Sequence, residues 1–145
     1  MQDSLTREIT VKAPKERVYN AIADADQITT WFPDAVEEGT LAVGERPFLR
    51  FGNFKTRIYI EAARPFDYFA YRWVPGGIAN TGDVLKVPNT LVEFFIEELA
   101  EGTKVTLKES GFASLPADVA QQSFDMVSGG WNEMMVRLEE KLNKA

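Results

Sequence analysis

Thr103-Lys104-Val105-Thr106-Leu107-Lys108-Glu109-Ser110-Gly111-Phe112 reads as a strand that breaks a rule at its end. Period two puts Glu109 in phase with Val105 and Leu107, so a carboxylate falls on the apolar face. A helical stretch follows, and it breaks a second rule. Gly129-Gly130 sits before Trp131 in its middle, and each glycine costs about 1 kcal/mol relative to Ala in a helix interior. Such breaks concentrate at functional or strained sites. Together they predict a helix lying across a sheet, with space and a polar group between them.

Working outward, the final helix is expected from about Pro116-Ala117 to Lys144. Phe124, Val127, Trp131, Met134, Leu138 and Leu142 form one stripe on it. Upstream, Leu91 to Leu99 alternates with Val92, Phe94 and Ile96 on one face, and Glu101-Gly102 makes the turn between these two strands. Phe69, Tyr71 and Trp73 share a face of another strand. Lys55 to Ala63 reads as one strand with Ile58, Ile60 and Ala62 together. Phe48 to Phe51 is a strand, and Ala35 to Leu41 is a weaker one. Gly52-Asn53 and Pro65-Phe66-Asp67 read as hairpin turns, so the strands pair antiparallel.

At the start, Leu5 to Val11 alternates as a strand and Lys12-Ala13-Pro14 stops it. A short helix follows over Pro14 to Ala23, with Pro14 in its first turn. Asp26 is expected to cap a second short turn through Thr30, which Pro33 ends. Pro75 to Pro88, with Gly76-Gly77 and Asn80-Thr81-Gly82-Asp83, reads as a long loop beside the functional end of the sheet. The order is strand, two short helices, a run of antiparallel strands, then one long helix. That order builds an α+β two-layer fold. The sheet must curl to wrap so long a helix, which opens a pocket between them.

Composition narrows the chemistry. The 145 residues fit one domain, 1–145, and 45% are apolar, with ten Phe, four Tyr and three Trp. Histidine and cysteine are both absent. That excludes Ser-His-Asp and Cys-His catalysis and a structural zinc site. No Asp/Asn/Gly loop has calcium-binding spacing, and no cofactor is implied. The formal net charge is −6, with Lys and Arg scattered. Neither nucleic acid nor an anionic membrane surface is an expected partner, and no apolar run has membrane-spanning length. The acidic residues Asp24, Asp26, Asp34, Glu37 and Glu38, and the group Glu93 to Glu101, read as solvated surface. The first residues carry no secretory pattern, and with no Cys the expected location is the cytoplasm.

Four pieces of the chain resemble one family. They are Ile9-Thr10-Val11-Lys12-Ala13-Pro14-Lys15-Glu16-Arg17-Val18-Tyr19-Asn20-Ala21-Ile22; Ile28-Thr29-Thr30-Trp31-Phe32; Tyr71-Arg72-Trp73 with Leu91-Val92-Glu93-Phe94; and Gly102 to Leu107 with Glu109-Ser110-Gly111-Phe112 and Gly130-Trp131. In that order they resemble the START-like superfamily (SRPBCC, helix-grip fold), within the group related to the C-terminal domain of the activator of Hsp90 ATPase. The resemblance implies a curved antiparallel sheet of about six strands around the C-terminal helix, with a cavity for an apolar or amphipathic ligand. The family member that activates Hsp90 engages it through an N-terminal domain. This chain opens directly on the first strand, so that domain is expected to be absent.

The expected ligand-contacting residues are Trp31, Phe32, Tyr71, Trp73, Phe94, Glu109, Phe112, Phe124, Val127, Trp131 and Met134. No catalytic residue and no metal ligand is assigned. Glu109 either faces the ligand, with Arg50, Arg57 or a backbone amide as partner, or sits at the strand end, where it reaches water or caps a neighbouring turn. Gly129-Gly130 reads first as close helix-to-sheet packing with a mild kink, and second as cavity volume. Trp31-Phe32 reads first as a plug on the core and second as a gate. The leading function is non-enzymatic binding of a small hydrophobic or aromatic-containing ligand. A co-chaperone-like interaction module with an apolar patch on the 75–88 loop stays open, with a chaperone partner or a homodimer. So does a cyclase or hydratase using Glu109 as acid-base and Tyr71 or Tyr59 as donor.

Overall fold

The alternating runs become eight strands in the computed structural model, which describes residues 2–76 and 79–144. β1 (Ser4–Val11) leads into α1 (Lys15–Ala23) and α2 (Ala25–Ile28). β2 (Ala35–Glu37), β3 (Phe48–Phe51), β4 (Phe54–Arg57), β5 (Tyr59–Arg64), β6 (Tyr68–Trp73), β7 (Thr90–Leu99) and β8 (Gly102–Ser110) follow, then α3 (Ala117–Asn143). Every pairing is antiparallel. One sheet runs β1-β8-β7-β6-β5 and the other β2-β3-β4.

The seven strand runs read from the sequence become eight, against the about six that the resemblance implies, because the run Lys55–Ala63 is two strands. β4 pairs with β3, β5 pairs with β6, and the break falls at Ile58. There the Arg57 amide donates to the Asn80 carbonyl (2.7 Å) and the Ile58 amide to that of Pro47 (2.9 Å). Thr56, Ile58 and Ile60 are all buried across the break, so alternation alone does not reveal it. The chain crosses from one sheet to the other here and closes the curve that period two predicts only as a straight strand. The weak strand also shortens. It ends at Glu37, and Glu38 takes a left-handed φ of 58° that no strand continues through.

The second short helix is capped by Asp24, not Asp26: the Asp24 carboxylate accepts from the Asp26 amide at 3.1 Å. The cap must precede the first helical residue, which is Ala25.

α3 has 27 residues, so it is about 40 Å long. It buries Ala120, Ser123, Val127, Trp131, Met135, Leu138 and Leu142. Two members of the expected stripe sit beside that line: Phe124 and Met134 are half-buried, and Ser123 and Met135 take the centre. At 100° per residue, adjacent positions straddle the same face; hydropathy favoured Phe124 over Ser123 and could not separate Met134 from Met135.

Arginines tie the middle and the C-terminal end of α3 to the rest of the fold. Arg7 of β1 donates to the side chains of Asn132 and Ser128 and to the Ser128 carbonyl. Arg17 of α1 donates to the carbonyls of Lys141, Leu142 and Lys144. Those are the orphan acceptors of a helix C-terminus, where positive charge also suits the macrodipole.

Leu138 is fully buried and Val136, two residues away, is 52% exposed. Leu138→Ala is therefore expected to lower unfolding free energy in urea by about 2–5 kcal/mol. Val136→Ala is expected to stay within about 0.5 kcal/mol of the parent.

Candidate functional site

β8 carries Val105, Leu107 and Glu109 inward, and all three are fully buried. Across the sheet Glu109 stands level with Val92 on β7 and Leu5 on β1. The same alternation on β6 brings Phe69, Tyr71 and Trp73 to the inner face, and α3 places Trp131 above them. The result is one carboxylate shared by three donors. Trp73 Nε1 donates to Glu109 Oε2 at 2.9 Å, and Thr90 Oγ1 to the same oxygen at 2.6 Å. Trp131 Nε1 donates to Oε1 at 2.7 Å.

This corrects two expectations. Glu109 does not reach water, and its partners are neither arginines nor backbone amides. Arg50 pairs with Glu37 (3.1 Å), and Arg57 donates to the carbonyls of Thr81 and Arg46. Both arginines belong to the three-stranded sheet, where they stay partly exposed. Burial pushes the Glu109 carboxyl above its ordinary range, and the bonds from Thr90, Trp131 and Trp73 pull against that shift. Burial also raises the Tyr71 phenol well above its usual value, and the Glu109 charge adds to it. Among the described residues the Tyr71 hydroxyl has no hydrogen-bond partner.

In front of the two indoles lies an open-sided pocket of about 170 Å³ between the sheets and α3. Its wall is made by Phe32, Phe51, Phe54, Thr56, Trp73, Val74, Pro75, Gly76, Met126, Val127, Gly130, Trp131 and Met134. Phe32 lies 5.0 Å from Trp131, 6.0 Å from Trp73 and 5.4 Å from Phe51 between ring centroids. The rings therefore form one connected aromatic surface.

Of the residues singled out from the sequence, Phe32, Trp73, Val127, Trp131 and Met134 come together here. Glu109 stands behind the indoles rather than in the wall. Tyr71 packs edge-on to Trp73 at 5.4 Å, and Phe94 edge-on to Trp131 at 6.0 Å. Trp31 is a core residue whose Nε1 donates to the Ala21 carbonyl at 2.7 Å. Phe112 and Phe124 pair with each other at 5.0 Å, outside the pocket wall. The wall residues missed were chiefly Phe51, Phe54 and Met126. The first two face each other across the Gly52-Asn53 turn, and aromatics flanking a turn were the available signal.

The glycine pair is also corrected. A Cβ added at Gly129 or Gly130 would meet nothing within 4 Å. Neither position faces a packed neighbour, and Gly130 leaves open space in the wall. Close packing occurs instead at Gly76 (φ 90°), where a Cβ would lie 2.5 Å from Ser123 Oγ and 2.9 Å from Ser123 Cα. Gly77, next to it in the sequence, lies outside the described residues. Among the described residues no three acidic, His or Cys side chains gather as a metal site, and no helix is long and apolar enough to cross a membrane.

Curved antiparallel strands gripping one long C-terminal helix define a helix-grip protein of the START-like (SRPBCC) superfamily. Residues 12–143 match the family model described as Activator of Hsp90 ATPase homolog 1-like protein, and the chain belongs to that family. Among solved structures it is similar to DynU16, a putative protein of the dynemicin biosynthetic locus, with TM-score 0.77 and 22% identity over 98% of this chain. It spans 48% of that longer chain. Protein MLL2253 from Mesorhizobium loti matches with TM-score 0.77 and 20% identity over 94% of both chains. The Aha1 dimer from Colwellia psychrerythraea matches with TM-score 0.75 and 17% identity, over 98% of this chain and 97% of that one. No curated protein matches the chain.

Glu109→Gln tests the carboxylate. An amide offers one acceptor oxygen, so either Trp73 or Trp131 is left facing an N–H donor. At acid pH the variant is expected to lose about 1–3 kcal/mol of unfolding free energy. The parent's advantage should then shrink as pH rises from 4.5 through the raised native value. In that window the native state holds a proton that the unfolded chain has released, so stability falls with pH. A parent–variant difference that stays flat with pH would contradict the buried titration.

Proposed function

We propose that the chain is a single-domain, cytoplasmic binding protein that takes a small hydrophobic or aromatic group into the sheet–helix pocket without transforming it. The observation that carries this reading is the pocket's size combined with its wall. A cavity of about 150 Å³ with an apolar lining accommodates benzene, and this one is about 170 Å³. That volume suits one ring or its aliphatic equivalent. Met126 is 51% exposed at the rim, and the open side lets the rest of a larger ligand project into water. Apolar walls with few polar groups are the usual make-up of small-molecule sites. Acid–base catalysis by Glu109 draws no support from the geometry, because both carboxylate oxygens are engaged behind Trp73 and Trp131.

Gly130→Leu separates ligand binding from folding. The site is open at Cβ, and replacing a mid-helix glycine raises helix propensity by up to about 1 kcal/mol. The variant is expected to fold at least as stably as the parent and to lose binding of one-ring probes such as benzene, followed by tryptophan fluorescence. Unchanged probe binding in the folded variant would place the ligand elsewhere.

The family description and two exposed apolar residues, Leu85 (42%) and Val87 (40%), favour a second reading as a chaperone-interacting module. On it, purified Hsp90 from the same cell co-elutes with the chain, and Leu85→Asp with Val87→Asp abolishes this. Failure of the parent to co-elute would remove the reading.

A further inference from the structure

We infer that the pocket selects a cation with an apolar shell, a quaternary ammonium group, over a neutral group of the same shape. This rests on the ligand-binding reading above and specifies its ligand.

The first observation is the wall itself. Phe32, Phe51, Phe54, Trp73 and Trp131 all line the pocket, and no lining side chain carries a charge. Ring planes are inclined to one another by 31° (Phe32 and Trp131), 57° (Phe32 and Trp73) and 68° (Phe32 and Phe51). The wall rings are therefore tilted to one another rather than coplanar. Aromatic π-systems attract cations, indole best of all.

The second observation is the charge behind the wall. Both pocket indoles point their N–H at one buried carboxylate. That donation shifts electron density toward the ring system, and the carboxylate's field acts through a water-poor layer one indole wide. Among the described residues Glu109 is in no ion pair. Its neighbours from each packed element are uncharged: Leu5 on β1, Tyr71 on β6, Thr90 and Val92 on β7, and Trp131 on α3. A buried carboxylate without a cation is costly. The volume in front of the two indoles is where a ligand can bring the missing positive charge.

The kind of cation follows from what the wall lacks. A primary ammonium needs three acceptors, and the lining side chains offer one hydroxyl, on Thr56. A quaternary ammonium has no N–H to satisfy and presents only methyl groups. The overall charge of −6 favours its approach.

The test is calorimetric titration of the full chain with choline chloride and with 3,3-dimethylbutan-1-ol, its neutral isostere, at fixed ionic strength and at a series of pH values upward from 4.5. Choline should bind about tenfold more tightly than the alcohol. Its advantage should grow as pH rises through the Glu109 titration, because the cation favours the ionised carboxylate, and protons should be released on binding. Alcohol binding should not change with pH. Equal affinities at every pH would overturn the cation preference and leave the apolar pocket standing. Binding by neither probe would overturn the ligand-binding reading with it.

Discussion

Glu109 is a single carboxylate that accepts hydrogen bonds from Trp73, Thr90 and Trp131, at zero solvent exposure. Those donors come from β6, the start of β7 and the middle of α3, and the acceptor from the end of β8. One side chain thus ties three neighbouring strands to the helix that crosses them. Burying an ionised carboxylate costs several kcal/mol, and each hydrogen bond to a charged group returns about 1.5–3 kcal/mol. The two terms are comparable, so the residue is tolerated rather than strongly stabilising, and its carboxyl is shifted upward. What the arrangement does secure is orientation. An indole whose N–H must meet a fixed acceptor has few ways to turn.

That orientation shapes the pocket. Trp73 and Trp131 direct their polar edges at Glu109 and leave apolar surface on the ligand side, where Phe32 packs against both. The remaining walls come from elsewhere. β3 and β4 bring Phe51 and Phe54 because the chain changes sheets at Ile58. Gly76 itself lies directly on Ser123 of α3. Gly130 contributes a missing side chain. The family's fold supplies the space, and these particular residues decide what fits in it.

Much of this was legible in the sequence, for identifiable reasons. Alternation located β1, β6, β7 and β8, and the inward phase of Glu109 followed from it. The stripe on α3 gave its register to within one residue. Four things were not legible. The break at Ile58 leaves alternation intact, because the inward phase continues through the crossing. The partners of Glu109 were sought among arginines on charge grounds, yet its donors come from positions that only the tertiary fold makes adjacent. Gly129-Gly130 looks the same whether the missing side chains admit a neighbouring backbone or empty space; only the measured distances separate the two. Phe124 was placed at the site by its position on the α3 stripe, but it packs against Phe112 outside the pocket wall.

The chain has three tryptophans, which makes the central claim directly observable. Trp73 and Trp131 share the Glu109 carboxylate, whereas Trp31 donates to the Ala21 carbonyl. In a pH series of nitrogen–proton correlation spectra, two of the three indole N–H resonances should titrate together, with one common midpoint above 4.5. The third should stay still. Two indoles that titrate with different midpoints, or all three unmoved while the protein remains folded, would contradict a shared buried carboxylate.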